Sequence, residues 1–407
     1  MSKIILCVDM DAFFASVEQQ VNSALQGKPI AVTGAGERTV ITTSSYEARA
    51  YGVKTGMTPA KAKKLCPHII FVVGNFTKYD EVCARLQEIC QRFTPDVETY
   101  SIDEMFLDIT RSHHLFGGPL ELAKTIKKTV KQELGITCTI GIGPNVPIAK
   151  LASDIAKPDG LRWIDKDEVP SVLDTLPVRK LWGIGSHTEE KLSLMGITTC
   201  GQLGAHPLSL LTKRFGVLGA ELKALGQGLL ERPIEATTPD PKSIGHSRTF
   251  SHDMWKRQDI EREILRLSEM VGRRARKYGF KGRKITLTIR YNDFKTFSRQ
   301  TTLSDHTNDT RIIYKAALSI LDTLRLRTSV RLLGVSLSSF GSSTQPSLFG
   351  ESGSKHRQDL LHAMDTVNEK FGDRKITWAS AATEEETHGV ISPSWRPSGV
   401  RKSDGSR

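Results

Sequence analysis

The chain has 407 residues, 38% of them hydrophobic, with a formal net charge of +12; at roughly 100–200 residues per domain this implies two to four domains. No run of about 18 apolar residues occurs, which excludes a membrane-spanning helix. The apolar stretch at residues 4–8 is too short for a secretory signal core, and the six cysteines form no Cys-x-x-Cys pair, so a cytoplasmic protein with reduced, mostly buried thiols and no zinc site is expected.

Residues 4–8 read as a short buried strand and 12–25 have helical spacing, broken by Gly27-Lys28-Pro29. Segments 30–32 and 39–43 read as strands. Thr58-Pro59 has the form of an N-cap followed by proline at the first helical position, opening a helix to residue 65. A helix is expected over 79–93, two strands meeting at an acidic turn over 97–109, a helix over 120–134, a strand over 137–142 and a helix over 144–155. This α/β mixture suits one compact unit with an inserted small lobe. His113-His114 precedes a Gly-Gly pair and reads as loop. From about residue 165 the pattern is helical. Leu181-Trp182-Gly183-Ile184-Gly185 has the form of a helix-hairpin-helix turn that offers backbone N–H groups to phosphate, or equally of an ordinary glycine-rich connection.

Residues 235–242, with Pro239 and Pro241, read as a tether. Residues 243–340 follow as strand–helix–strand–strand–helix–strand, with helices at 259–278 and 310–324 and strands at 284–291 and 330–338. Residues 341–357 are rich in Ser and Gly and expected to be flexible, 358–371 to form a short helix, and the polar remainder to be disordered. The charge is localised: residues 243–341 hold 20 Lys plus Arg against 9 Asp plus Glu. A basic field of this kind suits a polyanion.

Two acidic groups carry chemistry. Asp9-Met10-Asp11 follows the first strand, and Asp103-Glu104 sits at the turn between two apolar strands. Alone, Asp-x-Asp after a strand serves equally well as a cap or a solvated turn. If the two strands are neighbours, however, three carboxylates converge, and buried like charges require a cation. Hard oxygen ligands in that number suit Mg²⁺, and two ions about 3.5–4 Å apart would clamp an in-line phosphoryl displacement.

The segment Asp9-Met10-Asp11-Ala12-Phe13-Phe14-Ala15-Ser16-Val17-Glu18 resembles the opening motif of the Y-family DNA polymerases. Tyr46-Glu47-Ala48-Arg49-Ala50-Tyr51-Gly52-Val53 resembles that family's nucleotide-binding segment. Tyr100-Ser101-Ile102-Asp103-Glu104 resembles its second metal motif, and Ala156-Lys157-Pro158-Asp159-Gly160 its triphosphate-contacting lysine motif. The four motifs stand in the family's order and spacing, nearest to its bacterial DNA polymerase IV branch, and the resemblance covers about residues 1–341.

The resemblance implies a multidomain α/β (α+β) right hand. Its palm would be 1–10 and 78–164, fingers 11–77, thumb 165–233, a linker 234–242, a DNA-gripping little finger 243–341, and a flexible tail 342–407. It implies low-fidelity translesion synthesis on primer–template DNA with deoxynucleoside triphosphates, by a monomeric enzyme. Two Mg²⁺ ions would be held by Asp9, Asp103, Glu104 and the Met10 carbonyl. Tyr46, Arg49 and Lys157 would bind the triphosphate, and Phe14 would be the steric gate against a 2′-OH, with Phe13 either its neighbour or core. Asp11 reads either as a support behind the metal ligands or as structural, and Asp108 as structural. No second acidic constellation suits a 3′–5′ exonuclease. Gln345-Pro346-Ser347-Leu348-Phe349 resembles the bacterial sliding-clamp peptide, with Gln345, Leu348 and Phe349 as anchors. The competing readings are a non-catalytic DNA-binding accessory on the same scaffold, and a nucleotidyl cyclase, in which the helical lobe, basic domain and clamp peptide have no place.

Overall fold

A computed structural model describes residues 3–237, 239–341, 352–372 and 375–382. The peptide Gln345–Phe349 lies outside the described residues. The chain divides into two compact units, with the division at residues 238–239, in the proline-containing segment.

The first unit begins with β1 (Ile5–Met10), whose six residues are all buried. Strands buried on both faces read as continuous apolar runs, and β1 is the middle strand of a five-stranded sheet. Helix α1 (Phe13–Val21) follows, then β2 (Ile30–Thr33) and β3 (Thr43–Ser44). The strand expected over 39–43 is mostly irregular. Its backbone donors are divided between two neighbours, Thr42 N bonding to Val32 O and Ile41 N to Met57 O, so no continuous ladder forms. Two short elements escaped the pattern: α2 (Tyr46–Ala50), capped by the Ser45 side chain, and β4 (Ile70–Val73), parallel to β2. Between them α3 (Pro59–Leu65) starts as expected, Thr58 accepting from Lys61 N.

Helix α4 (Phe76–Gln91) leads into the antiparallel pair β5 (Val97–Thr99) and β6 (Glu104–Asp108). His113–Phe116 is a single 3₁₀ turn rather than open loop. Then come α5 (Pro119–Leu134), β7 (Cys138–Gly143), α6 (Val146–Ala156) and the short β8 (Leu161–Trp163), completing the sheet order β5-β6-β1-β7-β8. Gly141 and Gly143 let α6 lie directly on β7. A Cβ at Gly141 would stand 2.1 Å from Ala149 O, and one at Gly143 2.7 Å from Ala149 N. Helices α7 (Val169–Thr175), α8 (Ser186–Ser193), α9 (Cys200–Ala205), α10 (Leu208–Phe215) and α11 (Leu218–Gly226) form a lobe with its own core around Leu173, Leu192, Leu203 and Leu211. The turn before α8 has Gly183 at φ +88° and Gly185 as N-cap.

The second unit has the expected element order: β9 (Ser243–Met254), α12 (Arg257–Lys277), β10 (Gly282–Tyr291), β11 (Thr296–Thr307), α13 (Thr310–Asp322) and β12 (Val330–Phe340). Its sheet is antiparallel throughout, ordered β11-β10-β12-β9. One face, with Ile285, Leu287, Leu333 and Val335, packs on Ile264, Val271 and Ile313 of the helices. The other carries Lys284, Thr286, Thr288 and Arg290 on β10, aligned with Ser338, Ser336, Gly334 and Leu332 on β12.

The tail departs from expectation. Helix α14 (Ser352–Phe371) starts inside the stretch read as flexible, and residues 375–382, read as disordered, are folded onto the same unit. Docking overrides the local Ser/Gly propensity. Leu361 is buried, Arg276 makes a bidentate pair with Asp365 at 2.6 and 3.0 Å, and the Asn368 amide bonds both backbone groups of Ile376. Thr377 Oγ1 donates to Glu269, and Ala381 is buried.

Candidate active site

Strands β1 and β6 are neighbours, and their antiparallel register sets Asp9 opposite Glu104. Met10 N donates to Asp103 O at 2.9 Å, stitching the acidic turn to the end of β1. Asp9 is 3% exposed and Glu104 7%. Burial raises the Asp103 and Glu104 carboxyls above the ordinary carboxylate range; the Ser101 hydroxyl, 2.6 Å from Asp103, and the Lys150 ammonium beside Glu104 oppose that rise.

Two lysines of the α6 segment compensate the charge. Lys150 Nζ lies 2.6 Å from Asp9 Oδ2, 3.1 Å from Glu104 Oε1 and 3.0 Å from Asp154 Oδ1. Lys157 Nζ lies 2.7 Å from Asp9 Oδ1. Burial works against the Lys150 ammonium, but Asp9 and Glu104 more than offset it and hold its pKa above normal. Sequence reading missed Lys150. Its signal was the spacing Lys150, Asp154, Lys157, which is i, i+4, i+7 on a helix that follows a buried strand.

Asp11 faces away from Glu104, toward Tyr46 and the lysine loop. Its carboxylate accepts from Thr139 Oγ1 at 2.8 Å and from Asp159 N at 3.0 Å, which anchors the loop just beyond Lys157. Asp108 likewise accepts from Thr110 N at 2.9 Å. The two acids of Asp-x-Asp thus do different work, one facing Glu104 and the other holding the lysine loop.

Tyr46 and Arg49 lie on α2. The Arg49 guanidinium sits 4.7 Å from the Tyr46 ring centroid, and its Nε donates to Ser44 O at 3.0 Å. The Tyr46 hydroxyl is buried beside the Asp11 carboxylate. Burial, then the negative charge of Asp11, pushes its pKa up to about 12, so it stays a donor. Phe14 is half-buried and stacks on Tyr79, with centroids 4.2 Å apart and ring planes 12° from parallel. Phe13, 2% exposed, is packed in the core.

The carboxylates fit a hard divalent cation: oxygens of Asp9 and Glu104 lie within 4.8 Å of one another and already hold cationic ammonium groups, whereas the nearby Cys7 sulfur is a soft, protonated thiol and Asp103 stands outside this cluster. Cys7 donates to Glu104 at 3.4 Å, and burial holds its thiol well above its ordinary pKa. The other cysteines are also buried and unbridged, with Cys83 and Cys138 pushed to about 12 by burial.

Comparison with known proteins agrees with this geometry. The impB/mucB/samB family matches residues 8–154, its C-terminal domain 241–348, and its helix-hairpin-helix motif 166–197. The DNA polymerase IV of Desulfatibacillum aliphaticivorans is 37% identical over 95% of this chain and 99% of its own length. That of Moorella thermoacetica is 38% identical over 93% and 96%. A solved Y-family polymerase chimera of Dbh and Dpo4 superposes with a TM-score of 0.74 at 28% identity, covering 83% of this chain and 99% of that one. An insertion ternary complex of Dbh DNA polymerase gives 0.60 at 27%, with the same coverage. No helix among the described residues is long and apolar enough to cross a membrane. With relatives this similar along nearly their full length, the chain belongs to the Y-family DNA polymerases, in the DNA polymerase IV group, and is a DNA-directed DNA polymerase.

Proposed function

We propose that this polymerase carries out low-fidelity translesion synthesis on primer–template DNA, with Asp9, Asp103, Glu104 and the Met10 carbonyl holding two Mg²⁺ ions. Divalent-metal dependence belongs to the family; the ion's identity and number are the proposal. When bound, such ions polarise the phosphoryl oxygens and favour the deprotonated primer 3′-OH. The observation that carries the reading is the Asp9–Glu104 pairing across β1 and β6, with Asp103 at the adjoining turn and two ammonium groups on the carboxylates.

This chain's own residues bind and orient. Lys157 reaches the site as a point charge and Arg49 as a planar fork, while the Tyr46 hydroxyl, protonated at neutral pH, can turn to a triphosphate oxygen. Phe14 would supply the flat ring that excludes a ribose 2′-OH. The five-stranded sheet would be the palm, the β2–β4 lobe the fingers, α7–α11 the thumb, and the second unit the little finger. The outer face of that last sheet, with Lys284 and Arg290 among small hydroxyl side chains, suits a phosphate backbone. A cytoplasmic monomer without proofreading in cis completes the reading.

We further propose that Gln345, Leu348 and Phe349 engage the bacterial sliding clamp, turning rebinding to DNA into an intramolecular event. Primer extension with Mg²⁺ on undamaged and lesion-bearing templates tests the activity, and failure to extend any primer refutes it. With Gln345, Leu348 and Phe349 changed to Ala, stimulation by the clamp on long templates should vanish while short-template synthesis is unchanged. Full stimulation of that variant would refute the clamp assignment.

A further inference from the structure

A buried strut stands behind the proposed sugar gate. Phe14 and Glu18 are four residues apart on α1, so they share a face of that helix. Tyr79, on α4, bridges them. Its ring stacks on Phe14 at 4.2 Å, and its hydroxyl donates to Glu18 Oε1 at 2.7 Å. The same hydroxyl accepts from Asn75 N at 3.3 Å. Tyr79 is fully buried and Glu18 is 6% exposed. Space around the hydroxyl is closed as well: a Cβ at Gly74 would stand 3.1 Å from it. Lys78 Nζ, 3.6 Å from Glu18 Oε2, balances the buried carboxylate.

Burying a carboxylate is costly unless it is paired and hydrogen-bonded, and for packing alone an apolar residue would serve at this place. What Glu18 supplies instead is direction. A hydrogen bond to a charged acceptor is short and strongly oriented, so it fixes Tyr79 about its side-chain torsions. The face of Tyr79 then sets the height and tilt of Phe14. A steric gate excludes by clash, so a ring free to recede discriminates poorly.

We propose that Glu18 is a positioning residue for sugar selection, acting through Tyr79 on Phe14. Neither Glu18 nor Tyr79 touches substrate in this account. The inference rests on the reading of Phe14 as the gate, and the test separates the two. Single-nucleotide insertion is measured with a deoxynucleotide and the matching ribonucleotide for the wild type, Phe14→Ala, Tyr79→Phe, Glu18→Leu and Glu18→Gln, with a thermal melt of each.

Phe14→Ala should lower the ratio of the two kcat/KM values most. Tyr79→Phe, which keeps the ring and loses the hydroxyl, and Glu18→Leu should each lower it by about tenfold, as loss of one charge-assisted hydrogen bond permits. Deoxynucleotide insertion should fall much less than selectivity. Glu18→Gln keeps an acceptor and should stay within about threefold of wild-type selectivity. If Phe14→Ala relaxes selection while Tyr79→Phe and Glu18→Leu leave the ratio unchanged, or reduce both substrates equally, the strut has no role in selection. If Phe14→Ala itself leaves the ratio unchanged, the gate reading falls and the inference with it. Tyr79→Phe changes one buried atom, so it remains informative even if Glu18→Leu melts early.

Discussion

The five-stranded and four-stranded sheets of this molecule handle charge in opposite ways. The five-stranded sheet brings Asp9, Glu104 and Lys150 into mutual contact at its centre, each largely withdrawn from water. The four-stranded sheet buries an apolar face under α12 and α13 and leaves Lys284 and Arg290 on its open face. In the first, a few groups act as a unit at low effective dielectric, so loss of one is large and not additive. In the second, each cation stands singly on an open face, so any losses on binding a polyanion should be small and sum. Catalysis needs the first arrangement and grip on DNA the second.

The largest expected effect lies in the buried cluster. Asp103→Ala or Glu104→Ala should reduce extension by about a thousandfold or more, several kcal/mol of transition-state stabilisation. Primer–template affinity, measured by fluorescence anisotropy, should change only a few-fold. Either variant retaining a tenth of wild-type rate would break the contrast.

A smaller effect tests whether the second unit holds any charge-sensitive group inside. His246 aligns with Val335 on the helix-covered face of the sheet, where burial, then the positive Arg274, lowers its pKa to about 3. A depressed histidine is neutral in the fold and protonated more readily in the unfolded chain. Stability should therefore fall as pH drops below about 6.5, by up to ~1.4 kcal/mol per unit until the folded pKa is reached. His246→Leu should flatten the unfolding midpoint between pH 6.5 and 4; an unchanged slope would show that this histidine titrates freely in the fold.

Next in size is the docked tail. Arg276→Ala should loosen α14 by about 1–3 kcal/mol, because it leaves Asp365 half-buried without its guanidinium. Hydrogen exchange over 357–371 should rise, and adding Asp365→Ala should restore part of the loss. Full additivity would mean that the ion pair does not hold the helix.

The smallest effects are on the open face. Lys284→Ala and Arg290→Ala should each flatten the plot of log DNA affinity against log salt by about 0.9 if each contacts one phosphate. The double variant should show the sum. Unchanged slopes would move the DNA grip to other residues of the basic unit.

Much of this was readable in the chain itself. Short-range physics set α1, α5 and α12, where apolar residues recur at helical spacing, and the Thr58–Pro59 helix start, where a cap and a proline act within one turn. The order strand–helix–strand–strand–helix–strand of the second unit followed from the same periodicity, and the four motifs carried Asp9, Asp103, Glu104, Tyr46, Arg49 and Lys157 by residue type and spacing. What periodicity could not reach were the elements whose partners are distant in sequence. Segment 39–43 reads as a strand until its donors are seen divided between Val32 and Met57, and the tail reads as loose until Leu361, Asp365 and Asn368 find their places. Lys150 and Glu18 are ordinary helical charges in sequence. Only tertiary structure decided that Lys150 faces Asp9, 141 residues away, and that Glu18 holds Tyr79, 61 residues away, because burial and pairing energies depend on which surfaces meet, and local spacing carries no record of that.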